Sequence, residues 1–198
     1  MRVITTIAAV LICSAFAGCA STKVETTGTS MKTPLCQSNG DRISVVGFWQ
    51  AKWRPDQKEP EAREVAAARG IEDFFASTPC IGKAEVRRLT GREPTDKTSD
   101  AELVRLAMIS TSRVDRVLLI TVRELGPKLL VGIPVIVEGG TEVVLEIREI
   151  DAHSSQAIAN FKTHWQNGGT FVVKGVATLP SDMKSALQAA LMTGQAAR

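Results

Sequence analysis

The residues of this sequence best suited to catalysis or metal binding are cysteine and histidine, and the sequence has few of either. Its 198 residues include two histidines, His153 and His164, and four cysteines: Cys13, Cys19, Cys36 and Cys80. Neither histidine belongs to an H-E-x-x-H motif or has a carboxylate at metal-ligand spacing, so no zinc site is expected. The sequence also lacks a phosphate-binding loop and a G-x-S-x-G nucleophile motif. We therefore expect no catalytic residue, no metal site and no cofactor.

Cys19 follows a segment with the features of an export signal. A positive residue is followed by a mainly apolar stretch over 3–13, shorter than the roughly 20 residues of a spanning helix. The run Phe16-Ala17-Gly18-Cys19 resembles the lipobox of bacterial lipoproteins, whose cysteine is diacylated on sulfur and becomes the mature N-terminus. Phe16 stands where the lipobox usually has leucine, and Ala15-Phe16-Ala17 also fits the A-x-A site of ordinary secretion. We predict a lipoprotein signal peptide over 1–18 and a lipid on Cys19.

The residues after Cys19 bear on which membrane holds the lipid. They are Ala20 and Ser21, so the aspartate that retains lipoproteins at the inner membrane is missing. We predict the outer membrane, with the rest of the chain facing the periplasm.

Cys36 and Cys80 remain once the other two cysteines are assigned. Cys13 leaves with the signal peptide and Cys19 takes the lipid, which leaves an even pair in an oxidising compartment. We predict a Cys36–Cys80 disulfide. The alternative is that both are small buried residues that never meet.

The overall composition is that of a globular protein without a nucleic-acid partner. Hydrophobic residues make up 44% and charged residues 23%, which is sufficient for a packed core. The net charge is +3, and it falls to +2 when Arg2 is removed with the signal. A nucleic-acid-binding domain would instead show a clustered basic face.

The apolar periodicity predicts one α+β domain over 41–194, after a Ser/Thr-rich segment over 19–40 that is expected to be a flexible tether. The expected fold is a small mixed sheet with a long antiparallel hairpin and two or three helices packed on it. Strands are predicted at 43–49, 84–89 and 116–124, helices at 60–78 and 99–110, the hairpin over 143–165, and a C-terminal helix from Pro180.

The segment 129–137 is almost entirely apolar and fits no simple element. Gly132 and Pro134 disfavour a central strand. It is interpreted either as an edge strand or core-covering loop, or as an exposed apolar patch that meets a partner or the membrane. The residues of this possible interaction surface are Leu129, Leu130, Val131, Val135 and Val137.

Three stretches carry a resemblance to known envelope proteins: 43–48, 114–120 and 144–152, the last closing on Asp151-Ala152 before a turn. Together they resemble the small lipoprotein domains grouped with the TolB N-terminal domain, CsgG and LpoB. Where that group commonly has Gly-Ala before the aspartate of the second stretch, this chain has Arg113-Val114.

The group includes protein-binding and ring-forming members, so the resemblance implies no catalytic residue. It implies a non-enzymatic accessory or assembly factor that binds other periplasmic or outer-membrane proteins, with a homo-oligomer possible. The alternative function is that of a small periplasmic hydrolase or ligand-binding lipoprotein.

Overall fold

The computed structural model describes residues 20–29, 34–36, 42–90, 97–111, 113–132 and 136–192. They form one six-stranded mixed sheet in the order β1-β6-β5-β4-β2-β3, with three α-helices, so the predicted α+β class is confirmed. The strands are β1 (Ser21–Thr29), β2 (Ile43–Ala51), β3 (Ile81–Arg88), β4 (Arg116–Gly132), β5 (Ile136–Asp151) and β6 (Gln156–Thr170). The helices are α1 (Pro60–Ser77), α2 (Asp100–Met108) and α3 (Leu179–Met192).

The sheet is parallel on one side and antiparallel on the other. β2 runs parallel to both β3 and β4, and helix α1 makes the crossover between β2 and β3. From β4 onward every pairing is antiparallel, and β5 and β6 form the predicted long hairpin, which closes at Asp151↔Gln156. The second helix begins at Ser99, as predicted, and the Ser99 hydroxyl accepts a hydrogen bond from the Glu102 N–H at 3.3 Å.

Two hydrophobic clusters lie on opposite faces of the sheet. Helices α1 and α3 cover one face, where Ile71, Phe74 and Met183 pack on Ile120 and Leu145. We call this the covered face. The predicted stripe of α3 is buried there: Met183, Ala186, Leu187, Ala190 and Leu191. Helix α2 covers only the part of the other face formed by β2, the start of β4, the end of β5 and the start of β6. The rest of that second face, on β4, β5 and β6, we call the open face; its side chains include Arg123, Glu142, Glu146, Asn160 and Lys162.

Residues 21–29 differ from the prediction of a flexible tether. They form edge strand β1, which pairs with β6 from Ser21↔Gly168 to Thr29↔Asn160. Val24 packs on the covered-face core, so a single apolar residue contributes burial. The composition favoured a tether because it measures apolar surface, whereas β1 is held largely by backbone hydrogen bonds to β6. Thr, which is abundant here, also suits an extended strand.

Residues 34–36 are also fixed to the domain. Leu35 is 5% exposed, and its N–H donates to the carbonyl of Leu191 at 2.8 Å. Cys36 is bonded to Cys80 with a Cα–Cα distance of 5.5 Å, so the predicted disulfide is confirmed. Cys19, the predicted lipid site, lies outside the described residues.

Candidate interaction surface

The hairpin of β4 and β5 extends past the strands beside it. β2 pairs with β4 only as far as Val122, and β6 pairs with β5 only from Glu138. β4 and β5 continue to pair with each other out to Gly132↔Ile136. In the described part of the segment 129–137, residues 129–132 pair with β5 and not with β2, so they form a strand edge and not a loop over the core. The segment is the projecting end of a hairpin, with Gly132 as the last residue of β4.

Four of the five residues predicted as an interaction surface fall on this part of the hairpin. Leu129, Leu130 and Val131 are in β4 and Val137 is in β5, whereas Val135 lies outside the described residues. The Leu129 side chain is 59% exposed. That these residues bind a partner stays a prediction.

The chain leaving β6 adds further exposed apolar side chains to the same place. Phe171 is 63% exposed and Val173 is 78% exposed. A Cβ on Gly139 would lie 2.2 Å from the Val172 carbonyl oxygen and 3.3 Å from Leu129 Cδ1, so this segment lies against the hairpin. We call Leu129, Phe171 and Val173 the apolar end. The sequence pattern did not single out Phe171 or Val173, because both lie outside any periodic element.

Phe171 has an unusual backbone conformation. Its φ is +62°, in the left-handed region that residues with a Cβ rarely adopt. Such conformations persist where the surrounding structure imposes them, and they are concentrated at functional sites. An exposed aromatic side chain held in this way marks the apolar end as a candidate contact surface.

Two paired glycines lie between the start of β1 and the base of the projecting hairpin. Gly140 pairs with Gly168, and a Cβ on Gly168 would lie 2.1 Å from the Gly139 carbonyl oxygen. The two backbones therefore approach too closely for side chains. The sequence predicted a hairpin that ends at residue 165, but β6 continues through Gly168 and Gly169 to Thr170. Ser21 pairs with Gly168, and Lys128 pairs with Gly140, so one row across the sheet places the start of β1 beside the base of the projecting hairpin.

The open face is polar, and it includes two charged pairs. Arg123 contacts Glu146 at 2.7 Å, and His164 contacts Glu142. Beside them lies a depression of about 430 Å³. It is lined by Lys52, Trp53, Arg54, Arg123, Glu124, Glu142, Val144, Glu146 and Lys162. His153 lies in the turn between β5 and β6, and His164 lies on the open face of β6.

Glu149 is the one strongly perturbed acid in the covered interior. It is 3% exposed, and Arg116 Nε lies 3.3 Å from its carboxylate. Burial raises its pKa to about 7; the charge of Asp151 adds to this rise, and Arg116 opposes it. Glu149 is a carboxylate on the covered face of β5. Its position continues the alternation of Val143, Leu145 and Ile147, so the sequence pattern of β5 already indicated that Glu149 faces the core.

The raised pKa of Glu149 predicts a loss of stability with rising pH. The folded state keeps the proton up to about pH 7, while the unfolded state releases it near the ordinary glutamate pKa of 4.5. The free energy of unfolding should therefore fall across this window, by on the order of 1–3 kcal/mol. Glu149→Gln should abolish this fall, because the titrating group is removed. Arg116 keeps Asp151 as its partner at 2.6 Å, so the variant leaves no unpaired cation.

Urea unfolding at several pH values between 4.5 and 8 measures this effect. Glu72→Gln, at an exposed position of α1, is the matched control and should retain the wild-type pH dependence. Glu85 acts in a different window, since a hydrogen bond from Ser110 lowers its pKa to about 2. Equal slopes for wild type and Glu149→Gln would contradict the assignment.

In the described part of the chain, no group of three or more His, Cys, Asp or Glu side chains is placed to hold a metal ion. Within the same residues, no helix combines the length and hydropathy needed to cross a membrane.

No protein-family model and no curated protein sequence matches the chain. Among solved structures, the PelC dodecamer from Paraburkholderia phytofirmans is 13% identical, with 87% of this chain and 99% of that chain covered and a TM-score of 0.43. Lipoprotein GNA1162 from Neisseria meningitidis is also 13% identical, with 74% and 96% covered and a TM-score of 0.39. These TM-scores, all below 0.5, assign the chain to no family, and the resemblance to the TolB, CsgG and LpoB group stays a prediction.

Proposed function

We propose that the chain is a non-enzymatic lipoprotein of the outer membrane that binds other envelope proteins or further copies of itself. In this proposal residues 1–18 are removed, Cys19 carries the lipid, and the domain faces the periplasm. The observation that carries the proposal is the open face. β4, β5 and β6 are packed against helices on one side, while the other side presents polar and charged groups to solvent.

The chemistry of the open face suits a protein partner. Asn160 and Lys162 of β6 are exposed, and Ile158 beside them is 42% exposed. Acidic and basic side chains alternate across neighbouring strands, as in the Arg123–Glu146 pair. Complementary charges of this kind give an interface its specificity and its orientation more than its raw affinity.

Site-specific crosslinking in intact envelopes tests this proposal. A photoreactive residue at Lys162 should give discrete adducts, which mass spectrometry should identify as one envelope protein or as a second copy of this chain. The matched control is the same residue at Glu72, exposed on α1, which should give none of these adducts. Identical adduct patterns at both positions, or none at Lys162, would contradict binding through the open face.

The lipid anchor gives a separate prediction. Cys19→Ala should move the protein from the membrane fraction to the soluble fraction, because the acyl chains supply most of the membrane affinity. Mass spectrometry of the wild-type mature protein should find a diacylated Cys19 as the first residue. An unmodified N-terminus at Gly18 would show ordinary secretion instead.

One observation favours the alternative of a ligand-binding lipoprotein. The indole N–H of Trp53 and the Nε–H of Arg123 are buried without a hydrogen-bond partner, and both residues line the depression on the open face. Buried donors usually have a partner, which a ligand with acceptor oxygens would supply. A small carboxylate that raises the melting temperature of the wild type but not of Trp53→Phe would support this alternative.

A further inference from the structure

We propose that the apolar end rests in the interface of the membrane beside the lipid on Cys19, so that the domain is docked on the bilayer in one orientation. This inference rests on the proposed lipidation. The contacting side chains are Leu129, Phe171 and Val173.

The position of the anchor is the first step. Ser21 begins β1 and lies in the row formed by Gly168, Gly140 and Lys128. Cys19 is two residues before Ser21, so its Cα lies within about 7 Å of the Cα of Ser21. Because residues 21–29 form a strand and not a tether, the lipid holds this end of the sheet against the membrane.

The surface beside the anchor is the second step. The hairpin projects beyond Lys128 from this same row, and its described residues 129–132 and 136–137 include no charged residue. Phe171 and Val173, both mostly exposed, lie against its base. Aromatic side chains are favoured at the interface between head groups and acyl chains. Lys23, Lys128 and Glu138 line a hollow at this end, and the two lysines can meet lipid phosphates there.

Backbone chemistry limits how deeply this end can enter. Past Val122 and Glu138, β4 and β5 pair with each other but not with β2 and β6. Unpaired backbone N–H and C=O groups are not tolerated in hydrocarbon, so the contact is confined to the head-group region. A shallow contact of this kind needs no spanning element.

The same geometry favours lipid over a protein as the occupant. A protein on the apolar end would have to fit between the domain and a bilayer that is held only a few residues away. The open face lies on a different side of the sheet and stays accessible to partners, so the two contacts are compatible.

Fluorescence quenching in vesicles tests the inference on the full-length mature lipoprotein. Phe171→Trp is reconstituted in vesicles of phosphatidylethanolamine and phosphatidylglycerol that contain a lipid with a spin label near the head group. Its added emission should shift to the blue and be quenched by the labelled lipid. Ile109→Trp is the matched control, because Ile109 is 69% exposed just after α2. Its emission should be neither shifted nor quenched.

The outcomes separate this inference from the lipid anchor. Vesicle flotation is measured on the same samples. Protein that floats while Phe171→Trp is not quenched would overturn the docking and leave the anchor intact. Protein that does not float would overturn the anchor and the docking together. A blue shift without quenching that grows with protein density would overturn the inference by showing a second copy on the apolar end.

Discussion

Replacing Cys36 and Cys80 together with serine is expected to lower the free energy of unfolding by about 4 kcal/mol. The two cysteines are 44 residues apart, and a crosslink across a loop of that length removes chain entropy of about this size from the unfolded state. Domains of this kind are stable by only about 5–15 kcal/mol, so the change is a large share of the total.

The native contacts around the bond add to the expected effect. Leu35 packs in the core that holds α3, and the N–H of Ile43 donates to the carbonyl of Cys80 at 2.8 Å. The bond therefore ties residues before β2 to the start of β3. Without it, both segments are held by a few hydrogen bonds and one buried leucine.

Urea unfolding of oxidised wild type, reduced wild type and the double variant measures the contribution. Reduced wild type should match the double variant. Cys19→Ala is the matched cysteine control and should unfold like oxidised wild type, because Cys19 has no part in the bond. Two free thiols titrated in denatured, unreduced wild type would refute the pairing in the protein itself.

Asp182→Ala is expected to cost about 3 kcal/mol, because it removes one partner of a buried ion pair. Asp182 is 6% exposed and lies in the first turn of α3, where the helix dipole also favours a negative charge. It accepts hydrogen bonds from Thr141 at 2.6 Å, Thr178 at 3.0 Å and Lys174 at 2.8 Å. The variant leaves all three donors without this acceptor.

A double-mutant cycle separates charge from packing at this site. Asp182→Ala should cost much less in a Lys174→Met background, since no buried cation is then left behind. Asp73→Ala, at an exposed position on α1, should change stability by no more than about 0.5 kcal/mol. An equal cost of Asp182→Ala in both backgrounds would show that its ion pair with Lys174 contributes nothing.

The Asp182 network also bears on the apolar end. Lys174 follows Val173 directly, and its ion pair ties the chain after β6 to helix α3. Asp182→Ala should therefore also weaken membrane quenching of Phe171→Trp, even under conditions where the domain stays folded.

The sequence by itself determined most elements of the domain. Strands β2 and β3, the helices, the β5–β6 hairpin and the capping residue Ser99 were predicted because each has a local signal of periodicity or spacing. The disulfide was also predictable, since the predicted export signal implied an oxidising compartment and left only Cys36 and Cys80 to pair. The burial of Glu149 could have been inferred from the alternation along β5.

Only the tertiary structure decided where these elements meet. The strand of residues 21–29 depends on the edge of β6, about 140 positions away, and the local composition of the segment carries no trace of that partner. The projecting hairpin exists because β2 and β6 end before β4 and β5 do. The residues of β4 and β5 do not indicate how long their neighbouring strands are. Phe171 and Val173 belong to this surface because the chain after β6 lies against Gly139, a contact that no local pattern indicates.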